Sequence, residues 1–176
     1  FPGIDRQVKH KSPDADLPPL VIDADGLNLL ARLDDWSEKL VNPAVLTPHP
    51  GEMARLTGLS IDEIQKDRAG KAKKFADTWG QIVVLKGALT IIAAPGGNSA
   101  VIPIATSSLS KAGTGDVLAG MIGGLIAQGL STWNAALAGA WLHASAGLAA
   151  SAAIGCNESV LASDVVRAVA QVYHSL

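Results

Sequence analysis

Lys111-Ala112-Gly113-Thr114-Gly115-Asp116 is the stretch on which the reading of this chain turns. Two glycines bracket a threonine, and an acid follows where the helical pattern of Val117, Leu118, Met121, Ile122 and Leu125 begins. Successive backbone N–H groups in such a turn form an anion nest, and the helix dipole adds positive potential at the same point. Asp116 then stands beside bound phosphate oxygens, where a base takes the proton of a hydroxyl attacking a phosphoryl group. An Asp N-cap after an ordinary glycine turn explains the same residues, so context has to separate the two.

Upstream, short apolar runs bounded by turn residues alternate with helical patterns. Leu20-Val21-Ile22 is a strand halted by Asp23-Ala24-Asp25-Gly26, and Leu27, Leu29, Leu30 and Leu33 mark a short helix. Val41 to Leu46 is a second buried strand ended by Thr47-Pro48-His49-Pro50-Gly51, with helix from Glu52 to Leu56. Ser60-Ile61-Asp62-Glu63 has capping-box spacing and opens one helix toward Trp79, stopped by Gly80. Ile82-Val83-Val84-Leu85 is a third buried strand, after which Leu89 to Ala94 and Ala100 to Ala105 form a hairpin around Pro95-Gly96-Gly97-Asn98. Downstream lie a helix from Asp116, another from Thr132 to about Ala153, and a last one capped by Ser163-Asp164. The alternation predicts an α/β fold with a mainly parallel sheet flanked by helices and a late hairpin.

Composition narrows the class. The 176 residues suffice for one domain with a sizeable core, and 48% hydrophobic against 17% charged excludes a disordered chain. Residues 117–157 contain no Asp, Glu, Lys or Arg. A spanning helix needs roughly 20 strongly apolar residues, but Gln128, Gly129, Ser131, Thr132 and Asn134 interrupt this tract. It reads as two buried helices packed through small residues, not as a membrane segment. A net charge of −2 gives no basic footprint for nucleic acid. The lone Cys156 excludes an internal disulfide framework and makes the cytoplasm the expected compartment.

Other strand ends carry chemistry too. Lys86-Gly87-Ala88-Leu89-Thr90 follows the third strand at its carboxyl end, where ligands of α/β sheets bind. His49 is a candidate substrate contact and Glu52 a candidate magnesium ligand through water. Asp23 and Asp25 form a further acidic pair, while His143, on the Ala-rich helix, reads as a satisfied core histidine. No P-loop and no Gly-x-Ser-x-Gly elbow is present. The strand ends together point to one composite nucleotide site.

Val21-Ile22-Asp23-Ala24-Asp25-Gly26-Leu27-Asn28, the Thr47-to-Glu52 string, Val84-Leu85-Lys86-Gly87 and Ala112 to Gly120 resemble, in order, the motifs of the NAD(P)H-hydrate dehydratase family. The resemblance implies a ribokinase-like fold and dehydration of NADHX and NADPHX to NADH and NADPH at the expense of ADP or ATP with Mg²⁺. It implies Asp116 as the base on the hydrate hydroxyl and substrate contact, and His49 and Gly3 as further substrate contacts. Lys86, Gly87, Ala88, Leu89 and Thr90, with Gly113, Thr114 and Gly115, would bind the adenine nucleotide. A ribokinase-like kinase of a vitamin precursor or sugar is the alternative, although such kinases more often resemble Asn-x-x-Glu where this chain has His49. The family domain is longer, so residues 1–176 are expected to be a single domain missing its N-terminal part, with a homo-oligomer, taken as a tetramer, as its assembly.

Overall fold

The computed structural model describes residues 17–175; Gly3 and the Phe1-Pro2-Gly3-Ile4 segment lie outside them. Five strands form one sheet in the order β1 (Leu20–Ile22), β2 (Ala44–Leu46), β3 (Ile82–Leu85), β4 (Ile91–Ala93) and β5 (Ser99–Val101). β1, β2 and β3 run parallel, in register Leu20 to Ala44 and Val45 to Ile82. β4 and β5 are antiparallel to their neighbours, so the described sheet is mixed, parallel through β1–β3 with the expected late hairpin added at β3. The connection from Leu85 to Ile91 is too short for the crossover that a parallel neighbour requires.

The buried strands show period-two sorting even though no polar residue alternates with the apolar ones. Val83 and Leu85 face a core with Leu27, Met53, Ile64, Ala76 and Trp79, under α1 (Ala24–Leu30), α2 (Trp36–Lys39), α3 (Pro50–Thr57), α4 (Ile61–Lys66) and α5 (Arg68–Trp79). Ile82 and Val84 face the opposite core with Leu118, Ile122 and Ala140, under α6 (Thr114–Ala127) and α7 (Thr132–Ile154). α8 (Ala162–His174) closes a third cluster through Val165 and Val172 against Leu142 and Ala146 of α7.

The uncharged tract is α6 and α7. By length and composition α7 is apolar enough to cross a membrane, yet its Ala135, Ala136 and Ala140 pack into the core beneath the sheet. A Cβ at Gly139 would press within 2.7 Å of the Ile122 side chain, so the small residue sets the α6–α7 approach.

Three expectations need correction. The helix expected to run unbroken toward Trp79 divides at Asp67, whose carboxylate accepts the Gly70 N–H and caps α5 afresh. The last helix starts one residue before Ser163: Leu161 is its N-cap position, and Asp164 accepts the Leu161 N–H from inside the first turn. The hairpin strands are shorter than expected, because the chain beyond Val101 leaves the sheet toward a helical turn at Ser107–Leu109.

Candidate active site

The carboxyl ends of β1, β2 and β3 meet at one charge cluster. Lys86 Nζ lies 2.5 Å from Asp23 Oδ1 and 3.7 Å from Glu52 Oε2. Asp23 occupies the N-cap position of α1 but makes no capping bond, since its carboxylate is turned to Lys86. Backbone bonds hold the strand ends together: Thr47 N–H donates to Ile22 C=O and Lys86 N–H to Pro48 C=O. Two carboxylates share one ammonium, and all three side chains are largely buried. Asp25 stays exposed, so only one member of that acidic pair joins the cluster.

His49 and Glu52 form a reciprocal cap on α3. His49 Nδ1 accepts the N–H groups of Gly51 and Glu52, while Glu52 Oε2 accepts the His49 N–H at 2.7 Å. Glu52 Oε1 lies 3.4 Å from His49 Nε2. The Glu52 carboxylate is thereby engaged by His49 and Lys86, whereas the His49 ring is half exposed and lies outside the lining of the cavity described below. Among the described residues no group of three or more His, Cys, Asp or Glu forms a metal cage. Magnesium commonly binds through one or two carboxylates plus substrate phosphates, and Glu52, the expected ligand through water, is here engaged by His49 and Lys86.

The glycine turn stands against this cluster. Gly113 takes φ +84 at the N-cap position, and α6 begins at Thr114, two residues before Asp116. Asp116 is therefore not the cap: it lies in the first helical turn, exposed, with no hydrogen-bond or ion-pair partner among the described residues. The Gly115 and Asp116 N–H groups find no carbonyl there either, leaving donors free for an anion. The Thr114 hydroxyl points inward, to the carbonyls of Leu109 and Lys111, and fixes the turn. A Cβ at residue 115 would sit 3.3 Å from Asp23 Oδ2 and 3.4 Å from Lys86 Nζ, so glycine lets the nest approach the ammonium.

A cavity of about 460 Å³ opens beside the nest. Lys86, Gly87, Ala88, Thr90, Thr114 and Gly115 line it; Leu89 and Gly113 do not. Arg68, which no sequence motif singles out, and His143, expected to be a satisfied core histidine, shape this cavity. Arg68 donates from Nη1 to Ala88 C=O at 2.6 Å and from Nη2 to Leu85 C=O at 3.2 Å and Lys86 C=O at 3.3 Å. It clasps a loop in which Gly87 has φ +147 and Leu89 has φ +57. Arg68 opens α5 only because the helix breaks at Asp67, and nothing in the apolar stripe announces that break.

His143 is the second. It is buried as expected, but it is not satisfied: Nε2 has no hydrogen-bond partner and the ring lines the cavity. Burial pushes its pKa down to about 4, against a backbone hydrogen bond with Thr114 and with help from the Lys86 charge. Below pH 6.5 the unfolded chain takes up a proton that the folded chain refuses until about pH 4. The stability held by the neutral ring is complete above pH 6.5 and falls by about 3 kcal/mol as the pH drops to 4. Urea unfolding at pH 7 and pH 4.5 should show this extra loss in the wild type and not in His143→Gln.

With a phosphate nest, an unpartnered acid and a lysine at the end of β3 in one place, comparison with known proteins becomes decisive. A family model described as NAD(P)H-hydrate dehydratase matches residues 2–171. The chain belongs to this family. It is 40% identical over 153 residues to the ADP-dependent (S)-NAD(P)H-hydrate dehydratase of Neisseria meningitidis, covering 85% of this chain and 51% of that protein. The ADP/ATP-dependent NAD(P)H-hydrate dehydratase of Bacillus subtilis, co-crystallised with ATP and Mg²⁺, superposes with TM-score 0.80 at 34% identity, over 89% of this chain and 55% of that one. A ribokinase-like superfamily protein of Enterococcus faecalis superposes with TM-score 0.69 at 25% identity, over 88% and 52%. The fold of this NAD(P)H-hydrate dehydratase family member is ribokinase-like, and the chain spans about half the length of these relatives.

Proposed function

We propose that this chain is the nucleotide-binding and catalytic part of an enzyme that dehydrates (S)-NADHX and NADPHX to NADH and NADPH, converting ADP to AMP, or ATP to ADP, with release of phosphate. The observation that carries this reading is the meeting of the Gly113-Thr114-Gly115 nest, Asp116 and Lys86 at the strand ends, beside a cavity of nucleotide size. Asp116 takes the proton of the hydrate hydroxyl as its oxygen attacks the terminal phosphorus; the bond from phosphorus to the nucleotide's bridging oxygen breaks. The nest N–H groups and Lys86 receive charge on the transferred phosphoryl group, and the Lys86-to-Thr90 loop holds the nucleotide. Phosphate then leaves the ring carbon more readily than hydroxide, a ring proton is lost, and the dihydropyridine double bond is restored. Mg²⁺ would supply charge neutralisation on the nucleotide phosphates, with Glu52 the residue proposed to hold it through water.

His49, half exposed at the rim and held by its own cap, is the proposed contact to the hydrated nicotinamide. Gly3 is proposed as a second contact from the resemblance alone, and Glu52 as a magnesium ligand through water, its carboxylate shared with Lys86. The enzyme is proposed to work in the cytoplasm as a homo-oligomer, with the tetramer checked by light scattering. ADP or ATP with Mg²⁺ should restore absorbance at 340 nm from NADHX; phosphorylation of a vitamin precursor or sugar without that recovery would replace this reading with a kinase.

Arg68→Met should raise the KM for the nucleotide by about 10-fold with a smaller change in kcat, because it frees the carbonyls of Leu85, Lys86 and Ala88 rather than touching the reacting atoms. Arg68→Lys should recover part of the loss. Equal nucleotide KM values in Arg68→Met and wild type would show that the loop holds its shape unaided.

A further inference from the structure

α7 supplies Ala140, His143 and Ala144 to the wall of the cavity beside the nest. One turn beyond His143 the same helix face reaches Gly147, which is buried and lies outside the lining. Glycine is a poorer helix former than alanine, yet it stands here among alanines in the interior of the longest helix of the described residues. The neighbouring turn supplies a reason. A Cβ at residue 147 would stand 2.7 Å from Leu109 Cδ2, 2.8 Å from Cγ and 3.1 Å from Cδ1. Leu109 has little room to withdraw, because it packs at once against the core of Leu118 and Ile122 and against the cluster between α7 and α8.

A hydrogen bond fixes the same contact. Ser108 Oγ donates to the Gly147 C=O at 3.0 Å in a buried bond that spans 39 residues. With its proton spent there, Ser108 Oγ accepts from the Thr106 hydroxyl at 2.9 Å. From the other side, the Thr114 hydroxyl at the start of α6 reaches the carbonyls of Leu109 and Lys111. The helical turn Ser107–Leu109 is thus held between α7 and the nest, and Thr106, Ser107, Leu109 and Ser110 line the cavity that Lys86 and Thr90 also line. We propose that Gly147 is a positioning residue for the co-substrate: its bare backbone seats the Ser107–Leu109 turn, and the depth of that seat sets how the turn meets an adenine nucleotide in the cavity. The proposal rests on the nucleotide reading above. Gly147 acts through Leu109 and Ser108, whereas Asp116 is carried by α6 and Lys86 is held by Asp23. A shallower seat therefore shifts the cavity wall and leaves the reacting groups in place.

Titration calorimetry of the chain with ADP, beside urea unfolding, tests this without relying on turnover. Gly147→Ala should bind ADP about 10-fold more weakly than the wild type. Leu109→Ala removes all three carbon atoms that the new methyl group meets and should also weaken binding, by leaving the turn loose. The double variant Gly147→Ala with Leu109→Ala refills part of that gap, so it should bind ADP more tightly than the two separate losses predict. Wild-type ADP affinity in Gly147→Ala, whether or not its unfolding midpoint falls, would make Gly147 a packing residue alone and overturn the proposal, as would losses that simply add in the double variant. Should Gly147→Ala fail to fold, Ser108→Ala decides: without the bond to the Gly147 C=O it should bind ADP about 3-fold or more weakly, and unchanged affinity overturns the assignment. ADP binding by the wild type without NADHX turnover would remove the dehydratase reading and leave the role of Gly147 to the variants; no ADP binding by the wild type would remove both.

Discussion

Asp116→Asn is expected to lower kcat for NADHX dehydration by about 10²- to 10⁴-fold, the usual contribution of a positioned general base. Its affinity for ADP should change little. The carboxylate is exposed and makes no bond within the protein, so its loss leaves no partner stranded. The nest is built from backbone N–H groups, which the substitution preserves. An acid in the first turn of α6 contributes only about 0.3–1 kcal/mol through the helix dipole, so the variant should fold and melt near the wild type. Single-turnover assays beside calorimetric ADP binding separate the two quantities. Turnover at the wild-type rate would take the base role away from Asp116.

Lys86→Met should be nearly as damaging to activity and far worse for the fold. Removing the ammonium leaves Asp23 and Glu52 as two largely buried carboxylates facing each other. Breaking a buried pair in this way costs about 3 kcal/mol. The same change takes positive charge from beside the nest, and loss of one such charge typically costs about 10²-fold in rate. Adding Asp23→Asn to Lys86→Met should return part of the stability and none of the activity. A double-mutant cycle read by urea unfolding and by nucleotide affinity isolates the pair; additive stabilities would mean that Asp23 and Lys86 do not act as a unit.

Much of this arrangement was legible from residue types. Ile82 to Leu85 announces a buried strand by being apolar throughout, and the charge-free run beyond Asp116 announces core helices. The glycine turn, Lys86 and Asp23 stand where strand-end chemistry placed them. What escaped depended on neighbours distant in sequence. Arg68 looks like an ordinary charge on an amphipathic helix until Asp67 breaks that helix and turns the guanidinium to the loop after β3. His143 looks like a core residue because it is one, and its unmet valence is defined only by what α6 and the loop fail to offer it. The cap of α8 was misplaced by two residues, since an acid inside a first turn and an acid before it leave similar patterns in sequence.

The bond between Asp23 and Lys86 joins residues 63 positions apart, one from each end of the parallel part of the sheet. It exists only when β1, β2 and β3 have been laid side by side in the right register, because a slip of one residue turns each side chain to the opposite face. A molecule that binds there recognises finished sheets and ignores partly assembled ones. By mass action it also draws the chain toward the finished state, by about 2.7 kcal/mol at a hundredfold excess over its dissociation constant. If the proposed nucleotide is that molecule, its level around a newly made chain becomes a variable in how much of that chain survives.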